Sequence, residues 1–126
     1  MTYAVTDEEF SAMVARAIDD LPPRFGERIA NVDFAVEEYA SPSDYARTQT
    51  GAGATLLGVY RGVPLPRRGA GYNMTLPDTI VIFSGPLQRL ATSEDDLYER
   101  IRHVVRHEIA HYFGISDERL REIDAY

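Results

Sequence analysis

The chain has 126 residues, 44% hydrophobic and 26% charged, which is ordinary for a globular protein and enough for one domain with a real core. With 20 acidic against 13 basic residues and a formal net charge of −7, it is poorly suited to a phosphate backbone, so no nucleic-acid partner is expected. Cysteine is absent, which excludes disulfides, thiol catalysis and thiolate metal ligands and fits a reducing, cytoplasmic setting.

The opening residues MTYAVTDEEFSAMV lack the basic start and apolar run of a signal peptide. No segment approaches membrane-spanning length and apolarity, so no membrane partner is expected either. Thr6 and Glu9 have capping-box spacing, and Phe10, Met13, Val14, Ala17, Ile18 and Leu21 then fall on one helical stripe. Pro22 and Pro23 stop that helix. Residues 30–39 read as a strand with Val32, Phe34 and Val36 on one face and Asp33 and Glu37 on the other.

Residues 41–53 are rich in Ser, Pro, Thr and Gly and read as a loop, with a short helical turn over 43–47. ATLLGVY (54–60) is a second strand, 61–72 a connection rich in Gly, Pro and Arg, and 77–83 a third strand containing TIVIF. Residues 84–90 read as a helical turn. Ser93 and Asp96 then cap a long helix over 94–113, with Leu97, Ile101, Val104, Val105, Ile109 and Tyr112 as its apolar stripe. A short helix over 117–123 closes the pattern. The order of helix, strands and helix implies one small α/β (α+β) domain over 1–126, with helices packed on a sheet.

The chemistry concentrates on the long helix, in HEIAHYFGISDERL (107–120). His107 and His111 lie four residues apart, so both imidazoles leave the same side of the helix and can reach one zinc ion. Glu108 sits one position round, where a carboxylate can take a proton from a metal-activated water. The candidates for a third ligand are Asp117, Glu118, Asp124 and His103. Asp117 is preferred, because Gly114 permits a left-handed turn that ends the helix and lets the chain fold back. His103 continues the row, but each helical turn rises about 5.4 Å, so it is expected as a neighbour in the cleft. A bare HExxH is a short pattern. The helix, Glu108, Gly114 and Asp117 together make it specific.

This stretch resembles the zincin metalloproteases in the extended HExxHxxGxxD form. His107 and His111 match the helical zinc ligands, Glu108 the general base, Gly114 the turn glycine and Asp117 the third ligand. The larger zincins have a methionine-containing turn beneath the site. Here no methionine follows the motif, and Met74 lies upstream of it.

Together with ATLLGVYRGVPL (54–65) and LPDTIVIF (76–83), the stretch resembles a small bacterial family of zinc metallopeptidases with a minimal zincin fold. The resemblance implies a small mixed sheet packed against the N-terminal helix and the long helix bearing HExxH, with a Zn2+ cofactor. The implied substrate is a peptide or protein lying along an edge strand, for which residues 79–83 are the candidate. Tyr60, Tyr72, Tyr112 and His103 are candidate oxyanion donors by chemistry alone. The competing reading is a zinc-binding member without peptidase activity that serves as a regulatory or assembly factor. A homo-oligomer is compatible with either.

Overall fold

The computed structural model describes residues 3–21, 32–48, 55–62 and 78–113. The first helix, α1 (Asp7–Asp19), begins as its sequence dictates. Thr6 Oγ1 accepts from the Glu9 N–H at 3.1 Å, and the Glu9 carboxylate accepts from the Thr6 N–H at 3.2 Å. This reciprocal cap satisfies two donors that a helix start leaves open. Phe10, Val14 and Ala17 are buried, and Met13 and Ile18 pack beside them.

Three strands form one sheet: β1 (Val32–Glu37), β2 (Gly58–Arg61) and β3 (Asp78–Phe83). Their order is β1-β3-β2, with β1 parallel and β2 antiparallel to β3. The register sets Val36 beside Ile82 on one side and Gly58 beside Ile82 on the other. β3 is therefore hydrogen-bonded along both sides. This corrects the expectation that residues 79–83 form an edge strand open to a substrate. The reason is visible in burial: Ile80, Val81, Ile82 and Phe83 are all fully covered, as an apolar run in a central strand must be.

The period of two separates the faces of the sheet. Val32, Phe34, Val36, Tyr60, Ile80 and Ile82 belong to the main core, together with the apolar stripes of α1 and the long helix. Val59, Val81 and Phe83 point the other way and meet Ala35, Ala40 and Leu56. Near this second cluster lies α2 (Pro42–Thr48), which bears out the helical turn expected over 43–47 and extends it by one residue at each end. Its Asp44 is almost fully buried and accepts from Arg61 at 2.8 and 3.0 Å, while Arg61 also donates twice to Glu37. Gly62 ends β2 with φ +154°, a conformation L side chains rarely adopt.

α3 (Ser84–Leu90) follows β3 without a break. Its Pro86 falls in the first turn, where a missing N–H costs nothing. The long helix is α4 (Glu94–Tyr112). Ser93 Oγ accepts from the Asp96 N–H at 3.0 Å, and the Asp96 carboxylate accepts from the Thr92 N–H at 3.0 Å. Glu94, Asp95 and Asp96 place negative charge against the positive end of the helix dipole. The Arg100 guanidinium, followed by the Thr92 N–H, holds the Asp96 carboxyl below its usual range.

Leu97, Ile101, Val104, Val105, Ile109 and Tyr112 are all buried, as their spacing predicts. α1 packs on α4 through this stripe and through Tyr98, whose hydroxyl bonds the Asp20 carboxylate and whose ring lies 4.1 Å from the Arg16 guanidinium. Burial, then the Asp20 carboxylate, pushes the Tyr98 phenol up. Among the described residues, no helix is long and apolar enough to cross a membrane.

Candidate metal centre

α4 presents two surfaces near its C-terminal end. Val104, Val105, Glu108, Ile109 and Tyr112 turn inward and are buried, whereas His107 and His111 are half-buried at the margin and His103 is exposed. The two imidazoles of the i, i+4 pair stand 4.5 Å apart between ring centroids, at 69° to one another. Metal-binding atoms of His107, Glu108 and His111 all lie within 4.8 Å of each other. His103 is outside this group, with its ring 6.2 Å from that of His107. The helical rise separates it, as the sequence spacing implies.

Glu108 is the unusual member. It is only 6% exposed, and within the described residues its ion-pair partner is His111 Nδ1, 3.4 Å from Oε1. A buried carboxylate needs a partner for its charge, and an imidazole supplies one only when protonated. Two imidazole nitrogens at this range with a buried carboxylate beside them suit a divalent cation, which would take the imidazoles in neutral form and balance the buried charge. The residues present therefore fit a metal.

The sheet beneath the cluster explains how Glu108 comes so close. Gly58 opens β2 and faces α4. A Cβ placed there would stand 2.6 Å from Val104 Cγ1 and 3.3 Å from Glu108 Cγ. Further along the same contact, Tyr60 packs on Tyr112 with ring centroids 5.6 Å apart. Both were candidate oxyanion donors. The structure places them together against the C-terminal turn of α4, with Tyr112 in the core. Asp117, Gly114, Glu118, Asp124 and Tyr72 lie outside the described residues, as does the helix expected over 117–123.

Sequence reasoning missed two features. A lone glycine inside the strand pattern ATLLGVY is a known sign of close backbone approach, and Gly58 bears it out. The Arg61–Asp44–Glu37 network had no comparable signal, because its members are far apart in the chain. A surface cavity of about 750 Å³ lined by Ser41, Ser43, Asp44, Ala46 and Arg61 belongs to that network, not to the histidine cluster.

The comparisons with known proteins agree with the site. The model of the zincin-like metallopeptidase family matches residues 29–126, and the chain belongs to that family. Its minimal zincin-like fold has the His-Glu-x-x-His cluster on α4. Among solved structures, it is similar to a conserved hypothetical protein from Thermo thermophilus. The two are 22% identical over 86% of this chain and 94% of that one, with a TM-score of 0.58, which speaks for the fold. No curated protein matches the chain significantly.

Proposed function

We propose that this zincin-family domain, read as one unit over 1–126, is a zinc-dependent peptidase that hydrolyses peptide bonds in peptides or proteins. The observation that carries the reading is the buried Glu108 carboxylate flanked by His107 and His111 within 4.8 Å. A metal-binding protein with no catalytic task has no need of a carboxylate one position round the helix from its ligands. The absence of cysteine supports work in a reducing, cytoplasmic compartment.

His107 and His111 would hold the ion, with Asp117 as the third ligand after the Gly114 turn. Nε2 is the assigned donor of His111, because its Nδ1 faces Glu108. A zinc ion bound there supplies Lewis-acid polarisation of a carbonyl and lowers the pKa of water. Glu108 takes the proton of the attacking water and later hands a proton to the leaving amine. Its burial keeps that carboxylate largely out of bulk solvent. β3 is paired on both sides, so it offers an extended substrate no open strand edge.

Metal content and peptide-library cleavage of two variants test this reading. Glu108→Gln should retain zinc and lose hydrolysis, while His107→Ala should lose both. Hydrolysis surviving intact in Glu108→Gln would remove Glu108 from the role of base. If the wild-type protein binds zinc stoichiometrically but cleaves nothing, the assembly-factor reading takes its place. A zinc-loaded structure with Glu118 or Asp124 in the coordination shell would overturn Asp117.

A further inference from the structure

We propose that Gly58 is a positioning residue for Glu108. Its missing side chain sets how deeply the α4 turn bearing Glu108 sits on the sheet, and so where the carboxylate stands relative to His107 and His111. The inference rests on the reading of Glu108 as general base and adds a residue that the HExxH pattern does not contain.

Glycine is a poor strand residue, and nothing in the backbone at Gly58 demands it. Among the described glycines only Gly62 has a positive φ, so Gly58 adopts a conformation open to any L residue. The reason must be space. A Cβ would stand 2.6 Å from Val104 Cγ1, 3.1 Å from the Val81 carbonyl oxygen and 3.3 Å from Glu108 Cγ.

These three neighbours differ in what they can yield. Val81 lies in the central strand, hydrogen-bonded on both sides, and cannot retreat. Val104 is β-branched and sits in a helix, where one χ1 rotamer is strongly preferred, so turning its methyl away is costly. Relief must therefore come from α4 lifting off the strand. Val104 and Glu108 are four residues apart on one helix face, so a lift at the first displaces the second. The contact to Glu108 Cγ, at 3.3 Å, asks that side chain for only a few tenths of an ångström, so the clash with Val104 decides.

The experiment uses the full, metal-loaded chain in five forms: wild type, Gly58→Ala, Val104→Ala, the double variant and Glu108→Gln. Three readouts are zinc content, separate kcat and KM on a peptide the wild type cleaves, and the visible absorption spectrum of the cobalt(II)-substituted protein. A misplacement of about 1 Å can cost up to about 100-fold in rate, so Gly58→Ala should lower kcat at least about tenfold. Its zinc content should stay at the wild-type level and its KM within about twofold. Its cobalt spectrum should shift in the same sense as that of Glu108→Gln.

Removing the Val104 methyls should then restore room. The double variant should recover kcat to within about threefold of Val104→Ala and return the spectrum with it. Wild-type kcat and spectrum in Gly58→Ala would overturn the proposal. A folded double variant that remains tenfold or more below Val104→Ala would also overturn it, and this comparison stands even if Gly58→Ala alone fails to fold. The cobalt spectra need no substrate. A protein that cleaves nothing therefore refutes the peptidase reading while the spectra still decide whether Gly58 positions Glu108.

Discussion

Two buried carboxylates, Glu108 and Asp44, show how the same chemical group serves different ends. Asp44 is matched by a guanidinium. The Arg61 hydrogen bonds outweigh burial and hold its carboxyl at about 2, against an ordinary 3.8. Arg61 is held further toward its charged form by the same contacts. The pair ties α2 to the end of β2. A depressed carboxyl stabilises the fold fully above its unfolded value and loses that contribution as pH falls through the folded value. Arg61 is partly open to solvent, so the contribution is discounted to on the order of 1–2 kcal/mol. Urea unfolding of wild type and Asp44→Asn should show a gap that narrows by about that amount as pH falls from about 5 to 2. A gap independent of pH would mean that the ion pair does not stabilise the fold.

Among the described residues Glu108 has no such guanidinium, and its partner there is an imidazole of the metal pair. General-base catalysis typically contributes about 10²–10⁴-fold, so Glu108→Gln should lose that much in kcat while zinc content holds. Neutralising the buried charge should also leave the protein as stable as wild type, or more so, when metal is absent. Thermal denaturation of both proteins in chelator checks this. Marked destabilisation of the metal-free variant would show that Glu108 is structurally paired in a way the His111 contact does not reveal.

At the scale of the element, α4 decides most of the architecture, and its own energetics rank clearly. Losing a helix cap costs about 1 kcal/mol, whereas emptying a fully buried aliphatic site costs about 2–5 kcal/mol. Ser93→Ala should therefore shift the urea midpoint modestly and Ile101→Ala severely, since Ile101 is completely covered. Equal shifts would mean that α4 depends on its start more than on its packed face. This ranking also explains what the sequence revealed. Caps and stripes are local, so both ends of α4 and every residue of its apolar stripe were legible. So was the alternation in β1, where Val32, Phe34 and Val36 do face the core.

Pairing between strands is not local, and there the reading failed. β3 pairs with β1, which lies 46 positions earlier in register, through contacts that no periodicity encodes. The expectation of an edge strand at 79–83 came from resemblance, although the unbroken apolar run Ile80, Val81, Ile82 and Phe83 suits a strand covered on both faces. Asp44 and Arg61, 17 residues apart, escaped notice for the same reason.

For the whole molecule, the consequence is that core and site share one helix. The inward face of α4 seals α1 against the sheet, and its margin presents His107 and His111. A metal held by that margin must stabilise the entire fold, because it binds the native arrangement and finds no preformed site in the unfolded chain. At free zinc a thousandfold above Kd the gain is about 4 kcal/mol, or on the order of 10 °C in Tm for a chain of this size. Calorimetry in zinc and in chelator should show that difference for wild type and Glu108→Gln, and none for His107→Ala. Asp117→Ala places the third ligand on the same scale. If Asp117 coordinates, its loss should shrink the zinc-dependent shift well below that of wild type without abolishing it, because the two imidazoles remain. An undiminished shift would assign the third position to another residue. A shift that vanishes in Glu108→Gln would instead make Glu108 a ligand, and with it the peptidase reading would lose its base.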